Sequence, residues 1–186
     1  MYFQPPKQRY LPNQVEISNA IRSLYVDTAR WLQNMIVSEV LNLPNKDFVK
    51  ERLDQVAYDA SVLFTRYYGQ EAANKMRQLY LAYFENVHDM IESYQNNDIA
   101  DIEQHRAALY QIADEIAALL SRLNRYWDYE TLRALSYVLV DDTTTQIQTL
   151  VSGDYPNDIR AYDEYVNQVY RISDELTYGI LRQFQI

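Results

Sequence analysis

The chain has 186 residues, which is enough to bury one self-sufficient core, and 48% of them are hydrophobic and 23% charged, as is typical of a globular protein. It contains no cysteine, so disulfides, zinc ribbons, iron–sulfur clusters and thiol catalysis are excluded. The net charge of −9, without any cluster of Lys or Arg, argues against nucleic-acid binding.

The N-terminal segment differs in composition from the rest of the chain. Residues 1–13 contain three of the five prolines and scattered charges, and we expect a flexible arm there. Residues 14–186 are predicted to form a single helical-bundle domain. No apolar run reaches the ~18–20 residues of a membrane span, and no basic-then-apolar secretion signal is present, so we expect a cytoplasmic protein.

Beyond the arm, apolar residues recur at intervals of three and four, which indicates amphipathic helices. With only three glycines and five prolines, these helices should be long. They end at turn signals such as Pro44, Gly69 in a left-handed cap, and the run 153–158. The apolar stripe of the last helix is predicted to begin at Ile159. The predicted helices cover residues 14–42, 46–67, 70–95, 99–123, 129–152 and 159–183.

One heptapeptide recurs, as Tyr110–Ile116, as Tyr170–Leu176 and more faintly as Asp54–Ala60. The three occurrences of one pattern suggest that one helical hairpin is repeated three times along the chain. Short links between successive helices favour antiparallel packing of neighbours. We therefore predict an all-α fold, an up-and-down antiparallel bundle of about six long helices built from three repeated helical hairpins. The positions that the repeat makes equivalent are those of Ala57, Ala113 and Ser173.

The segment Asp141–Gln146 is the clearest anomaly, because β-branched and short polar residues lie in the middle of a predicted helix. Thr143 should point inward, since it lies four residues from both Leu139 and Ile147. Two interpretations stay open. In the first, the threonines bond back to carbonyl groups one turn earlier. Alternatively, the segment forms a polar pocket with Asp141 or Asp142 as its acid.

Two histidines offer little for a metal site. Di-metal bundles use two Glu-x-x-His motifs, but this chain has one, Glu85 to His88, and His105 has no Glu three residues before it. If Tyr83 faces the core, Glu85 faces solvent at 100° per residue. We therefore predict no metal site and no cofactor.

Two pairs of acidic residues recur with the heptapeptide, Asp114 with Glu115 and Asp174 with Glu175. They are either surface charges or inward acids paired with tyrosines at Tyr110 and Tyr170. The sequence also lacks a phosphate-binding glycine loop, a G-x-S-x-G elbow and an H-E-x-x-H motif, so no catalytic residues are assigned.

With these helices placed, the chain resembles a family of uncharacterised all-helical proteins from Gram-positive, mostly spore-forming bacteria, ferritin-like in general appearance. The resemblance covers nearly the whole chain from about Leu24. It implies a helical bundle, and it adds association with the spore as an alternative location. The matching pieces are Trp31, Ile36-Val37-Ser38, Leu43-Pro44, Arg52-Leu53, Tyr67-Tyr68-Gly69, Ala113 to Ala118, Asp141, Thr143-Thr144, Asp158-Ile159, Ala161-Tyr162-Asp163, Asp174, and Gly179-Ile180 to Gln183-Phe184.

The resemblance also implies that family members carry histidines on the inward faces of several helices, often beside Glu. None of the corresponding positions here is a histidine, although Asp141, Asp163 and Asp174 are present. The resemblance therefore weakens the case for metal chemistry in this chain. The positions that correspond to the family histidines are Thr28, Tyr83, Leu139, Val166 and Gln168.

Two functions remain open. The first is a non-enzymatic bundle that acts through a protein partner, as a homo-oligomer or as a structural component. In that case some of the eighteen tyrosines would lie at the contact surface. The second is a diverged ferritin-like bundle that binds a metal or a small ligand in a polar centre of Asp, Thr and Tyr residues. The candidates for that centre are Tyr83, Asp114, Asp141, Asp142, Thr143, Asp163 and Asp174.

Overall fold

The computed structural model describes residues 12–186, and within that range the chain is helical, without any strand. The prediction of an all-α fold is confirmed. The predicted arm at 1–13 lies outside the described residues except for its last two, which belong to the first helix. A proline fits the first turn of a helix because its missing N–H would be unpaired there anyway. The helices are α1 Pro12–Val40, α2 Lys46–Asn96, α3 Ile99–Leu123, α4 Tyr129–Ser152 and α5 Tyr155–Phe184.

The prediction of six helices in three hairpins is wrong in its count, because residues 46–96 form one element, α2. Only Gly69 leaves the helical conformation inside it, at φ 80° and ψ 175°, a region that residues with a side chain almost never adopt. This is not the left-handed cap that we expected, and the helix resumes at the next residue. A turn of one residue therefore replaces the predicted helix end.

Contacts across Gly69 show that α2 reverses direction there. Lys50 Nζ lies 3.6 Å from Glu85 Oε2, although a straight helix would hold these residues about 50 Å apart. Nearer to the bend, the guanidinium of Arg77 lies 6.0 Å from the ring centroid of Tyr58. The two segments of α2 therefore run antiparallel, side by side.

The bundle has two ends, which we name after the residues in their turns. At the Gly69 end, Asn124 donates to the Tyr68 hydroxyl (3.1 Å), and Gln14 at the start of α1 donates to the carbonyl of Ile186 (2.8 Å). The Pro44 end contains the turns 41–45, 97–98 and 153–154, and Gln95 donates there to the carbonyl of Glu39 (3.3 Å). Successive helices pack against each other, and α5 packs against α1, which closes the bundle.

The bounds of α3 and α4 agree with the predicted ones because local caps determine them. The Asp98 carboxylate accepts from the N–H of Asp101 (3.2 Å) before α3, and Asp128 accepts from Thr131 (2.8 Å) before α4. Gly153 ends α4 in the left-handed conformation, with its N–H bonded to the carbonyl of Leu150.

The start of α5 differs from the prediction. The helix begins at Tyr155, inside the predicted turn, because Pro156 fits its first turn. Ile159 does not begin the apolar stripe, since it is 63% exposed, whereas Asp158 is 7% exposed. The inward face is set by the spacing of the residues that follow, which are Ala161, Tyr165, Val169, Ile172, Leu176 and Ile180.

The core runs the length of the bundle. The three positions that the repeat makes equivalent are all buried in it, with Ala57 0%, Ala113 2% and Ser173 0% exposed. Small residues at these places let neighbouring helices approach closely. Among residues 12–186, no helix is both long enough and apolar enough to cross a membrane.

Candidate functional site

A cavity of about 70 Å³ lies in the middle of the bundle, and all five helices contribute to its wall. Most of the wall is apolar surface, and the residues that line it include four tyrosines, one threonine and one serine. The lining residues with hydroxyl groups are Tyr25 and Thr28 from α1, Tyr80 and Tyr83 from α2, Ser136 from α4 and Tyr165 from α5.

The tyrosines of this wall are buried. Tyr25 and Tyr80 lie near each other, and they are 8% and 7% exposed. Burial raises the pKa of Tyr25 to about 12 and the pKa of Tyr80 well above its ordinary value of 10. Tyr165 is 3% exposed, and burial, followed by the nearby Tyr83 and Asp142, raises its pKa as well. All of these phenols therefore stay protonated at neutral pH and can donate hydrogen bonds.

Tyr83 connects the cavity to the anomalous segment of α4. Its hydroxyl lies 3.0 Å from Thr143 Oγ1, and Thr143 is fully buried, as the sequence predicted. Burial raises the pKa of Tyr83 far above its ordinary value, although the Thr143 hydroxyl acts in the opposite direction.

The threonines of α4 also bond back along the helix. The hydroxyls of Thr143, Thr144 and Thr145 each donate to the carbonyl four residues earlier, all at 2.8 Å. The first interpretation of this segment is therefore realised in the structure. It does not exclude the second, because the Thr143 oxygen contacts Tyr83 at the same time.

Asp142 is the carboxylate next to this group. Its Oδ2 atom is buried and has no hydrogen-bond partner among the described residues. Burial, and then the negative charges of Glu164 and Asp141, raises the pKa of Asp142 from 3.8 to about 6. Helical spacing left the choice between Asp141 and Asp142 open, and in the structure Asp142 is half-buried with a buried Oδ2 atom, whereas Asp141 is exposed.

The other predicted acids lie apart from this centre. Asp114 pairs with Arg133 (2.8 Å), and Asp174 pairs with Arg22 (2.5 Å). Asp163 is exposed. The structure therefore brings together Tyr83, Asp142 and Thr143, and it leaves the remaining candidates on the surface.

Asp141 is held at the surface by a separate network. It accepts a short hydrogen bond from the Tyr110 hydroxyl and lies 3.5 Å from Arg106. Tyr110 thus contacts Asp141 on the next helix, whereas Asp114, four residues along α3, accepts from Tyr137 (3.1 Å).

Glu85 and His88 have separate charged partners. Glu85 is exposed and pairs with Lys50, as expected for a solvent-facing position. His88 Nδ1 lies 2.7 Å from Glu39 Oε2, and the Glu39 side chain is only 9% exposed. Burial raises the pKa of Glu39, while His88 opposes that rise. Within residues 12–186, no three His, Asp or Glu side chains are grouped so that they could hold a metal ion.

Three positions that the family resemblance singled out line the cavity, namely Thr28, Tyr83 and Leu139. Gln168 is buried and donates to the carbonyl of Leu135 (2.9 Å), so it serves a neighbouring helix rather than the cavity. Comparison with known proteins finds no matching family model, no similar curated protein and no similar solved structure.

Sequence reasoning missed three cavity tyrosines, which are Tyr25, Tyr80 and Tyr165. The signal for them was the excess of tyrosine at helical core spacing. That signal could show that some phenols are inside, but it could not show that those from α1, α2 and α5 meet in one place.

Proposed function

We propose that this protein binds a small ligand in the central cavity and performs no catalysis itself. The observation that supports this function is the central cavity itself, which is lined mostly by apolar surface and by the side chains of four tyrosines. An apolar pocket with a few convergent polar groups and a perturbed pKa is typical of a ligand site.

The cavity volume limits the size of the ligand. A buried apolar cavity of about 150 Å³ can hold benzene, so about 70 Å³ has room for a molecule of roughly four non-hydrogen atoms. At a ceiling of about −1.5 kcal/mol per atom, such a molecule binds no more tightly than about 40 µM. Binding should therefore be sought at millimolar ligand concentrations.

The charges around the cavity give little support to a catalytic role. The raised pKa values of Tyr25 and Tyr80 keep both phenols protonated, so they are poor bases at neutral pH. Neither Asp142 nor either histidine of the chain is among the residues that line the cavity. The groups present are suited to holding and orienting a molecule.

The test is a titration of the ¹⁵N-labelled chain with 1-propanol, monitored by NMR. We expect saturable shifts for residues that line the cavity, such as Ala113, Leu132 and Val169. Ala113→Val, which adds two methyl groups to the wall, should weaken binding. The matched control is Ala118→Val on the same helix, away from the cavity. Shifts that do not saturate, or that persist unchanged in Ala113→Val, would contradict the proposal.

A second candidate, action through protein–protein interaction, is supported by the Pro44 end of the bundle. Several of the most exposed large apolar side chains lie at this end. A contiguous apolar patch is costly to expose to water and is typical of a protein–protein contact surface. They come from α2, α3, α5 and the turn after α1. These residues are Leu41 (49% exposed), Phe48 (71%), Ile99 (64%), Tyr155 (57%) and Ile159 (63%).

Light scattering after size exclusion would test self-association through this end. If the apolar residues associate, the mass should rise with concentration, and Phe48→Glu with Ile159→Glu should restore a monomer. Val62→Glu is the matched control, because Val62 is 52% exposed but lies about two turns before Gly69, far from the Pro44 end. A monomer at all concentrations would contradict self-association.

A further inference from the structure

Helices α3 and α4 carry the same side-chain pattern where they pack against each other. Along each helix an arginine, a tyrosine and an aspartate follow one another at intervals of four residues, so their side chains share one face. The pattern therefore occurs twice, once on each partner of a helix pair. Its members are Arg106, Tyr110 and Asp114 on α3, and Arg133, Tyr137 and Asp141 on α4.

The aspartates are exchanged between the two helices. Because α3 and α4 run antiparallel, the Tyr110 hydroxyl donates to Asp141 Oδ1, and the Tyr137 hydroxyl donates to Asp114 Oδ2 (3.1 Å). Each phenol thus has a carboxylate of the other helix at its hydroxyl group, and a carboxylate in that position can take up the phenolic proton.

The arginines hold these carboxylates in place. Arg133 Nε lies 2.8 Å from Asp114 Oδ1, and a nitrogen of Arg106 lies 3.5 Å from Asp141 Oδ1. The guanidinium groups also cover the rings of the tyrosines on their own helices. The two halves of the pattern are therefore equivalent in their contacts as well as in their spacing.

The two phenol rings at the centre of the pattern are in contact. The ring centroids of Tyr110 and Tyr137 are 4.6 Å apart, and the ring planes are tilted by 54°. This separation is at the short limit of the range of roughly 4.5–7 Å for aromatic pairs in proteins. Both tyrosines are partly exposed, so an oxidant in solution has access to them.

We propose that Tyr110 and Tyr137 form a site of oxidative cross-linking, at which a peroxide-dependent one-electron oxidant joins α3 covalently to α4. Each phenol loses one electron and its hydroxyl proton, and the proton passes to Asp141 or Asp114. The two radicals couple through the ring carbons next to their oxygens. The hydrogens of these carbons move to the oxygens and restore both hydroxyl groups. Hydrogen peroxide takes up both electrons and both protons, and two molecules of water form.

The new bond stabilises the bundle. It closes the segment between residues 110 and 137, which contains the loop between α3 and α4, and it removes entropy from the unfolded chain as a disulfide does. For a chain of this size we expect the Tm to rise by roughly 5–10 °C.

The experiment treats the full chain with hydrogen peroxide and a haem peroxidase, and it follows the blue fluorescence of dityrosine. Trypsin then releases Tyr110 in the peptide 107–122 and Tyr137 in the peptide 134–160. We expect these two peptides joined in one product from the monomeric chain, lighter by two hydrogen atoms than the separate peptides together. Fragmentation in the mass spectrometer should place the bond at Tyr137 rather than at Tyr155.

Two variants and a matched control test the pair. Tyr110→Phe and Tyr137→Phe should each remove the joined peptides and the rise in Tm. The control is Tyr178→Phe, which removes a phenol that is 49% exposed and accepts from Arg182 (3.0 Å), and it should leave the product unchanged. Absence of the joined peptides, their persistence in Tyr137→Phe, or a product consisting mainly of covalent dimers would overturn the proposal.

The carboxylates provide a readout that purely structural contacts would not affect. Asp114→Asn combined with Asp141→Asn removes both proton acceptors and should slow the cross-linking by about tenfold or more. Asp163→Asn, at an exposed position outside the pattern, should leave the rate unchanged. An equal rate in the double variant and the original chain would overturn the role of the two aspartates.

Discussion

The indole of Trp127 lies directly against Gly179, so that a Cβ atom built on this glycine would be 2.0 Å from Trp127 Nε1. Trp127 is 2% exposed and cannot move aside without disturbing Tyr68, whose ring centroid is 5.3 Å away. The glycine is therefore required by the close approach of α5 to the loop between α3 and α4.

The first prediction concerns Gly179→Ala. In an ordinary helix this change stabilises by about 1 kcal/mol, but here the added methyl group overpacks a buried site and should reduce the free energy of unfolding by about 3 kcal/mol. Urea denaturation measures the change. In a Trp127→Leu background the same substitution should cost much less, because the indole is the group that the methyl meets. An equal cost in both backgrounds would show that the strain lies elsewhere.

The second prediction uses the asymmetry of the Tyr83–Thr143 pair. Tyr83→Phe leaves Thr143 bonded to the Leu139 carbonyl, so the loss of stability should be about 1 kcal/mol. Thr143→Val leaves the buried Tyr83 hydroxyl without a partner and should cost about 2 kcal/mol. The double variant should be no less stable than Thr143→Val alone. Thermal unfolding of the three variants measures this, and strictly additive losses would contradict the pairing.

The third prediction concerns pH and Asp142. Its folded-state pKa, about 6, lies above the ordinary value of 3.8, so the ionised form destabilises the fold above pH 6 and this penalty disappears as the pH falls through 4. The groups that interact electrostatically with it are Asp141 on the same helix, Tyr83 from α2, and Glu164 and Tyr165 from α5.

Asp142→Asn should therefore stabilise the protein at pH 7 but not at pH 3.5. A full shift of two units would correspond to about 3 kcal/mol, and because the side chain is only half-buried we expect about 1 kcal/mol. Denaturant unfolding at the two pH values checks this. A stabilisation that is the same at both would show that the charge is not its cause.

The fourth prediction concerns Glu39 and His88. Removal of the imidazole in His88→Ala leaves the nearly buried Glu39 carboxylate without its 2.7 Å partner and should raise the pKa of Glu39 further. At pH 7, where the acid is ionised, we expect a loss of about 2 kcal/mol. The loss should shrink at pH 4 as the carboxyl becomes protonated. His105→Ala, which removes the other histidine from a partly buried site, is the control and should show no such pH dependence.

The relation between prediction and structure is clearest in the helix bounds. α3 and α4 start and end where the sequence indicated, because Asp98, Asp128 and Gly153 act within a few residues of their own backbone. Prediction was weaker at Gly69, where the chain folds back within one residue. A glycine indicates a break, but only the packing of the two segments of α2 selects the backbone angles of that break.

The candidate site also combines features that could be predicted from the sequence with features that could not. The polar run in α4 and the inward direction of Thr143 could be read from spacing along one helix. Spacing could not decide between Asp141 and Asp142, because adjacent residues differ by 100° and either can border the core. It also could not bring Tyr25, Tyr80 and Tyr165 together, since these residues come from three helices.

By itself, then, the sequence determined that this chain is helical, where most of its helices begin and end, and that a polar segment faces the interior, since each of these depends on interactions within one or two turns. Tertiary structure alone decided which acid remains without a cation and that the tyrosines enclose a cavity. Those features depend on the rotation and spacing of helices against one another, which are set by side-chain packing across the whole bundle.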